Sequence, residues 1–330
     1  MLRLGIVGCG RVTTMFHLRA IEVVKGISVA AVADMDKSRM EAVRGKCGTA
    51  RGYLEYGELL ADPDVDAVAI NTPPRFHEDM VVEALEAGKH VLCEKPLSRS
   101  VEGCERIMEA QGDGGLVVMP LHNYGFTPAL ETAEKILEAG EIGKITKISL
   151  SFDNNLRSYG SKTDFRLEER HAIVEDILPH VLSVVHVLVD SPLSVRDALG
   201  WSRSYKVVDN LSVSLWAEMV EVECDMNWTS LIPRFSIDVE GAEGSLSMEP
   251  MKFPYKVTVR TPKGERTEDK PGLGKYLDVA RLRHPAFRRQ YEHFTAVVGG
   301  SEEPRFTVED EVKMLQVMDR VVRLLTLAEG

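Results

Sequence analysis

The sequence predicts an α/β chain: a doubly wound parallel sheet over residues 1–120, followed over 121–330 by a second α/β domain built on mostly antiparallel strands. Three observations predict it. Through the first 120 residues, short apolar runs alternate with stretches of helical spacing, the pattern of a parallel sheet covered on both faces. Beyond residue 210 the pattern changes to period two, the mark of strands with one buried and one polar face. At 330 residues the chain is also long for one compact core, so two domains are the natural expectation.

In the first domain the apolar runs place strands at 2–7, 28–33, 66–71, 90–94 and 116–119. Helical spacing covers 14–24, 75–88 and 99–111, as in Met80, Val81, Ala84 and Leu85. The second domain opens with a helix at 127–139, and Gly140-Glu141-Ile142-Gly143 then turns into a strand at 144–152. A helix follows at about 173–189. Leu211, Val213 and Leu215 alternate with Ser212 and Ser214. Val220, Val222, Cys224, Met226 and Trp228 alternate with Glu221, Glu223, Asp225 and Asn227. Further strands are expected near 235–240, 244–248 and 255–261, and 262–283 reads as a long loop rich in Lys, Gly, Arg and Pro. Two helices close the chain, at 285–298 and 307–325, the second with Thr307 as N-cap.

Composition narrows the partners. A formal charge of −11 argues against nucleic acid or an anionic membrane surface. The five cysteines form no CxxC pair and no Cys/His metal spacing, so no metal site is expected and a reducing compartment suits the chain. With no secretory pattern at the start and no apolar run approaching eighteen residues, a soluble cytoplasmic protein is expected.

The first strand runs into Gly8-Cys9-Gly10-Arg11-Val12-Thr13, a helix follows, and the second strand ends on Asp34. Strand, glycine turn, helix, strand and acid, with the acid about twenty residues on, is the layout of a dinucleotide-binding βαβ unit. Gly8 allows the tight turn, and Gly10 lets the backbone approach a pyrophosphate at the positive end of the helix. Thr13 stands where the third glycine of the pattern would be. Asp34 suits the hydroxyls of an adenosine ribose and repels a 2′-phosphate, which favours NAD over NADP; Arg11 and Arg39 pull the other way.

Two further groups carry chemistry. Glu94-Lys95-Pro96 sits at the carboxyl end of the fifth strand, where a nicotinamide would lie, and an ammonium there stabilises negative charge on a substrate oxygen losing its proton. The plain alternative is a solvated lysine in a turn. Asp176 and His180, spaced i, i+4, fall on one helix face one turn apart, and a carboxylate beside an imidazole raises its basicity and fixes its orientation. The plain alternative is a surface pair.

Taken in order, these pieces resemble the glucose–fructose oxidoreductase / inositol dehydrogenase / MocA family along nearly the whole chain. Gly5-Ile6-Val7-Gly8-Cys9-Gly10-Arg11 matches its cofactor loop and Asp34 its ribose-binding acid. Asn71-Thr72-Pro73-Pro74-Arg75-Phe76-His77 resembles the loop that passes over the cofactor, and Glu94-Lys95-Pro96 matches its most specific motif. His122-Asn123-Tyr124-Gly125-Phe126-Thr127-Pro128 resembles the segment entering the second domain. Asp176 and His180 fall on the Asp-x-x-x-His pattern of its catalytic helix, and Gly241-Ala242-Glu243-Gly244 looks like its strand turn.

The resemblance implies a Rossmann domain followed by an α/β domain with a large open sheet, through which such proteins commonly form homodimers or homotetramers. It implies an NAD-dependent oxidoreductase moving a hydride between nicotinamide and a secondary hydroxyl of a sugar, cyclitol or sugar derivative. Cofactor contacts would come from Gly8, Gly10, Arg11, Val12, Asp34, Asn71, Thr72, Pro73, His77, Glu94 and Lys95. Lys95, Asp176 and His180 would be catalytic, with Asn123, Tyr124 and Asn154 holding neighbouring hydroxyls. Two departures bear on substrate: Gly125 stands where many relatives carry arginine, and bulkier Arg170-His171-Ala172-Ile173-Val174-Glu175 replaces a glycine-rich stretch. Arg157, Arg166 and His171 suit an anionic substrate, or else pair with Asp164, Glu168 and Glu169 in a surface loop. Two other readings stay open: a glycoside hydrolase using tightly held NAD for transient redox, and a non-catalytic regulator that senses dinucleotide.

Overall fold

The computed structural model describes every residue except 49–50, 160–164, 168, 269–272, 282 and 329–330. The first sheet is built from β1 (Leu2–Val7), β2 (Ile27–Ala33), β3 (Arg51–Tyr53), β4 (Ala67–Ile70), β5 (His90–Glu94) and β6 (Val118–Leu121). Between them run α1 (Leu18–Ile21), α2 (Lys37–Cys47), α3 (Tyr56–Leu60), α4 (His77–Glu86) and α5 (Val101–Gln111). The chain goes on through α6 (Pro128–Glu138), β7 (Ile145–Asn155), α7 (Ala172–Asp176) and α8 (Leu178–Leu188). Seven strands follow: β8 (Leu193–Trp201), β9 (Asn210–Ala217), β10 (Val220–Asn227), β11 (Thr229–Gly241), β12 (Gly244–Met248), β13 (Val257–Thr261) and β14 (Gly264–Glu268). Last come α9 (Leu273–Ala280), α10 (Pro285–Val298) and α11 (Val308–Ala328).

By its internal contacts the chain divides into Met1–Asn123 with Leu277–Val312, and Tyr124–Tyr276 with Lys313–Gly330. This differs from the expected division at residue 120 in one respect: 277–312 returns to the first unit. The reason is apolar. Tyr291 and Phe294 of α10 are fully buried in the same cluster as Leu4, Ile6, Val32 and Leu92 of the first sheet, and sequence neighbours do not reveal that destination.

The first sheet has strand order β3-β2-β1-β4-β5-β6 with every pairing parallel. The chain reverses its direction of winding between β1 and β4, and in such sheets ligands bind beyond the carboxyl ends of the strands at that point. β4, Ala-Val-Ala-Ile, is buried at all four positions, as a strand covered on both faces must be.

The second sheet has order β14-β13-β12-β11-β7-β10-β9-β8. β7 and β10 pair in parallel and the other neighbours are antiparallel. The period-two reading holds at the level of residues: Val222, Cys224 and Met226 are buried, while Glu221 and Glu223 on the opposite face accept hydrogen bonds from Arg196 of β8. Two expectations are corrected here. The stretch 262–283 carries β14 and α9. The helix expected at about 173–189 is two helices broken at Ile177. Pro179 causes the break, because in a continuous helix it has no N–H for the Glu175 carbonyl and its ring would collide with that oxygen. Opening α8 instead, Pro179 sits where the missing N–H costs nothing.

Candidate active site

In the first unit the glycine turn is pinned between two strand ends. Gly8 donates to the Ala33 carbonyl at 2.9 Å, and Asn71 donates to that of Val7 at 2.7 Å. Gly8 has φ +87°, and an added Cβ would lie 2.8 Å from the Asn71 carbonyl oxygen, so only glycine fits. Gly10 is the opposite case: a Cβ there would meet nothing within 4 Å. That open space lies where the helix begins, and Thr14 N–H donates to Gly10 O at 3.1 Å. Thr13 is no gap in the motif. Fully buried, it donates to Gly8 O at 2.6 Å and accepts from Asn71 Nδ2 at 3.2 Å, which ties the turn to the β4 loop.

Asp34 closes the other side. Its Oδ2 accepts from Cys9 N–H at 2.7 Å and its Oδ1 from Asp36 N–H at 2.8 Å. Each carboxylate oxygen keeps a second lone pair for a ribose hydroxyl. Asn71 Oδ1 is buried without a hydrogen-bond partner among the described residues, an acceptor left over beside the turn. The open face at Gly10, the aimed carboxylate of Asp34 and this spare acceptor fit a dinucleotide. Burial, then the Asp34 charge, pushes the Cys9 thiol up to about 12, so the loop cysteine stays protonated.

Lys95 follows β5, and the backbone on both sides of it is held by side chains, the half-buried Glu94 and the fully buried His77. Glu94 Oε2 accepts from Lys95 N–H at 3.2 Å, and Glu94 Oε1 lies 3.0 Å from Nε2 of the fully buried His17. His17 Nδ1 lies 2.9 Å from Tyr291 Oη of α10. A proton on His17 Nε2 donated to Glu94, with Tyr291 O–H donating to Nδ1, satisfies the chain. Burial alone would raise Glu94, but His17, Lys95 and His77 hold it below the ordinary carboxylate value. His77 places Nδ1 at 2.7 Å from Pro96 O and Nε2 at 2.7 Å from Thr72 O. His77, expected to touch the cofactor, is fully buried, and its ring lies between carbonyls of the two loops it joins. Burial lowers its basicity against the pull of those two carbonyls.

In the second unit His180 lies in the first turn of α8, its ring stacked on Phe152 of β7 with centroids 5.7 Å apart and planes 6° from parallel. Tyr124 meets it edge-on at 5.2 Å and also contacts Phe235 at 5.0 Å. Asn154, 9% exposed, points to the same face of β7 as Phe152. Asp176 ends α7, so it and His180 stand on successive helices rather than one. Asp176 Oδ2 pairs with Arg166 Nε at 2.9 Å and accepts from Trp228 Nε1 at 3.2 Å. Arg166, expected either to meet an anionic substrate or to pair within its own loop, thus neutralises a site carboxylate. Arg157 is exposed, and its N–H donates to Asn155 Oδ1 at 3.1 Å. Asp164 and Glu168 lie outside the described residues. No group of metal-binding side chains occurs among the described residues, and no helix among them is long and apolar enough to cross a membrane.

Sequence reasoning did not single out His17, Tyr291, Trp228 or Glu311 as parts of these sites. Each acts through a partner far along the chain, which leaves no local spacing to find.

A glycine turn at the winding reversal of a six-stranded parallel sheet, followed by an α/β unit with a long antiparallel sheet, defines a two-domain dinucleotide-binding oxidoreductase fold. The chain belongs to the Gfo/Idh/MocA family: residues 2–122 match its oxidoreductase family, NAD-binding Rossmann fold, model and residues 130–247 match the GFO/IDH/MocA C-terminal domain. It is 27% identical over 302 residues to D-xylose 1-dehydrogenase (NADP(+)) 2 of Haloferax volcanii, covering 88% of each chain. It is 33% identical over 148 residues to an oxidoreductase of Rhizobium meliloti, ORF334, covering 45% of this chain and 44% of that one, so this match spans less than half of that relative. The fold is shared with an oxidoreductase of Agrobacterium radiobacter solved with NAD+, L-tartaric acid and magnesium: TM-score 0.88 at 21% identity, covering 99% of this chain and 97% of the other.

Proposed function

We propose that the chain is an NAD-dependent dehydrogenase acting on a secondary hydroxyl of a sugar, cyclitol or sugar derivative. The observation that carries this reading is the setting of Lys95: an ammonium at the carboxyl end of β5, its backbone braced on one side by Glu94 and on the other by His77. Such bracing gives a cation the fixed aim that stabilising a developing alkoxide requires.

Gly8, Gly10, Arg11 and Val12 would hold the pyrophosphate, Asp34 the adenosine ribose, and Asn71, Thr72, Pro73 and Glu94 the far half of the dinucleotide. Asp34 favours NAD because its charge repels a 2′-phosphate. Bound nicotinamide would take a hydride from the carbinol carbon, or return one in the reverse direction. Lys95 would donate a hydrogen bond to the substrate oxygen and lower the cost of its negative charge. His180 would take the hydroxyl proton, its ring held in plane by Phe152. Asp176, fixed by Arg166 and Trp228, would accept from a neighbouring hydroxyl, with Asn123, Tyr124 and Asn154 serving others. Because Arg166 is already neutralised by Asp176, a neutral polyol suits the site better than an anion. A second copy would seat on the open face of the second sheet, where Leu199 and Trp216 are exposed.

The test is a panel of neutral sugars and cyclitols with NAD and NADP in parallel, run on the wild type and on Lys95→Ala. The expected result is NAD reduction that Lys95→Ala cuts about 10²–10⁴-fold, with NAD affinity essentially unchanged. Unchanged turnover in Lys95→Ala would remove the assignment.

A further inference from the structure

We propose that Glu311 is a positioning residue for Lys95: from the first turn of α11 its carboxylate fixes the backbone just past the lysine and gives the ammonium a permanent negative partner. The inference rests on reading Lys95 as the catalytic amine, and it is tested on the amine itself, so the two can fail separately.

Glu311 is 2% exposed. Its Oε2 accepts from Leu97 N–H at 3.2 Å, two residues beyond Lys95 and 214 residues away along the chain. Its Oε1 takes a short hydrogen bond from His122 Nε2, directly after β6. One carboxylate therefore ties together the segments that leave β5 and β6, both at the carboxyl edge of the sheet where the nicotinamide would lie. The turn that carries it is fixed in its own right: Thr307 N–H donates to Asp310 Oδ2 at 3.1 Å, and Asp310 N–H donates to Thr307 Oγ1 at 3.2 Å.

The charge state follows from the hydrogen bonds. His122 is fully buried, its ring 4.9 Å from that of Phe306, and its Nδ1 has no partner among the described residues. A proton there would be a stranded buried donor, so the ring carries its single proton on Nε2 and gives it to Glu311. The carboxylate is thus held by two donors, His122 Nε2 and the Leu97 N–H, in a site that burial would otherwise close to a charge. Burial pushes Glu311 upward, and His122, the Leu97 N–H and Lys95 together bring it below the ordinary carboxylate value. Holding Leu97 N–H needs an acceptor but no charge; the charge is favoured first by His122, then by the Leu97 N–H, and by the Lys95 ammonium as well.

Among the described residues, the ionisable groups around Lys95 include Glu94 of β5, braced by His17, His77 of α4, and Glu311 of α11. Those around Glu311 are His122, Cys93, Cys104 and Lys95, and both thiols are held protonated by burial and by Glu311 itself.

The experiment is a pH titration of the Lys95 amine. Lysines are reductively methylated with ¹³C-formaldehyde, and the Lys95 signal is assigned by its loss in Lys95→Arg. In Glu311→Gln, which keeps an acceptor for Leu97 N–H and removes the charge, the midpoint is expected to fall by at least about half a pH unit. Glu311→Asp, which keeps the charge, should remain nearer the wild type. Should Glu311→Gln not fold, the same titration is read in Glu311→Gln/His122→Phe, which removes the buried imidazole together with the charge. A midpoint unchanged in the folded glutamine variant overturns the proposal. The titration needs no substrate, so an active Lys95→Ala would defeat the catalytic reading alone and leave this result standing.

Discussion

The two glycines of the turn make opposite predictions when each is replaced by alanine. At Gly8 the backbone has φ +87° and the new Cβ would lie 2.8 Å from the Asn71 carbonyl oxygen. The left-handed conformation alone costs a side-chain-bearing residue about 1–2 kcal/mol, and the backbone collision adds to it. Taking about 2 kcal/mol in all, the melting temperature should fall by about 4–8 °C for a unit of this size. At Gly10 φ is not positive and nothing lies within 4 Å of the added carbon. Gly10→Ala should be neutral, or more stable by up to about 1 kcal/mol, because the unfolded chain loses freedom. Yet its methyl group would stand in the open space proposed for the pyrophosphate, so the Kd for NAD should rise at least about 10-fold, equivalent to about 1.4 kcal/mol. Thermal melts and calorimetric NAD titrations of both variants read the two effects separately. The reasoning is refuted if Gly10→Ala binds NAD like the wild type, or if both variants lose stability alike.

Other outcomes follow from the buried groups of the first unit. Tyr291→Phe leaves His17 Nδ1 buried without its 2.9 Å partner, so the urea midpoint should drop by the equivalent of about 1–3 kcal/mol; an unchanged midpoint would show that the contact contributes nothing. Glu94 and Glu311 are both held below the ordinary value of 4.5 when folded. Depressed carboxylates stabilise fully above their unfolded pKa, and that stability is lost as the pH falls through the lower folded value. Urea midpoints should therefore stay level from neutrality down to about pH 4.5 and decline below it, with a shallower decline in Glu311→Gln; equal slopes would contradict the shift. In the second unit, Phe152→Leu removes the face on which His180 stacks, and kcat should fall about 10-fold or more with NAD affinity intact; a normal kcat would remove the positioning role.

Much of the first sheet is legible in sequence because a strand buried on both faces must be apolar throughout, as at 67–70, and because Gly8 answers to backbone geometry that no other residue tolerates. α2 escaped notice for the converse reason: only Met40 and Val43 of its eleven residues are buried, so almost no apolar stripe exists. β8 is an edge strand with mixed exposure and offers no clean alternation. The i, i+4 spacing of Asp176 and His180 is legible, but the break at Ile177 turns on Pro179, which periodicity alone does not register. Least legible are the buried polar partners. His17 meets Glu94 across 77 positions and Tyr291 across 274, and His122 meets Glu311 across 189. Such pairs are set by tertiary packing, and local pattern carries no trace of them.

The central claim is that a hydride leaves a carbinol carbon for the cofactor. The most direct measurement supplies NAD and a panel of polyols deuterated at their ring carbinol carbons, and reads the mass of the nicotinamide after turnover. One deuterium carried into the reduced cofactor is the expected result. Reduced cofactor without the label, or no reduction by any polyol from a protein that binds NAD, would contradict the account.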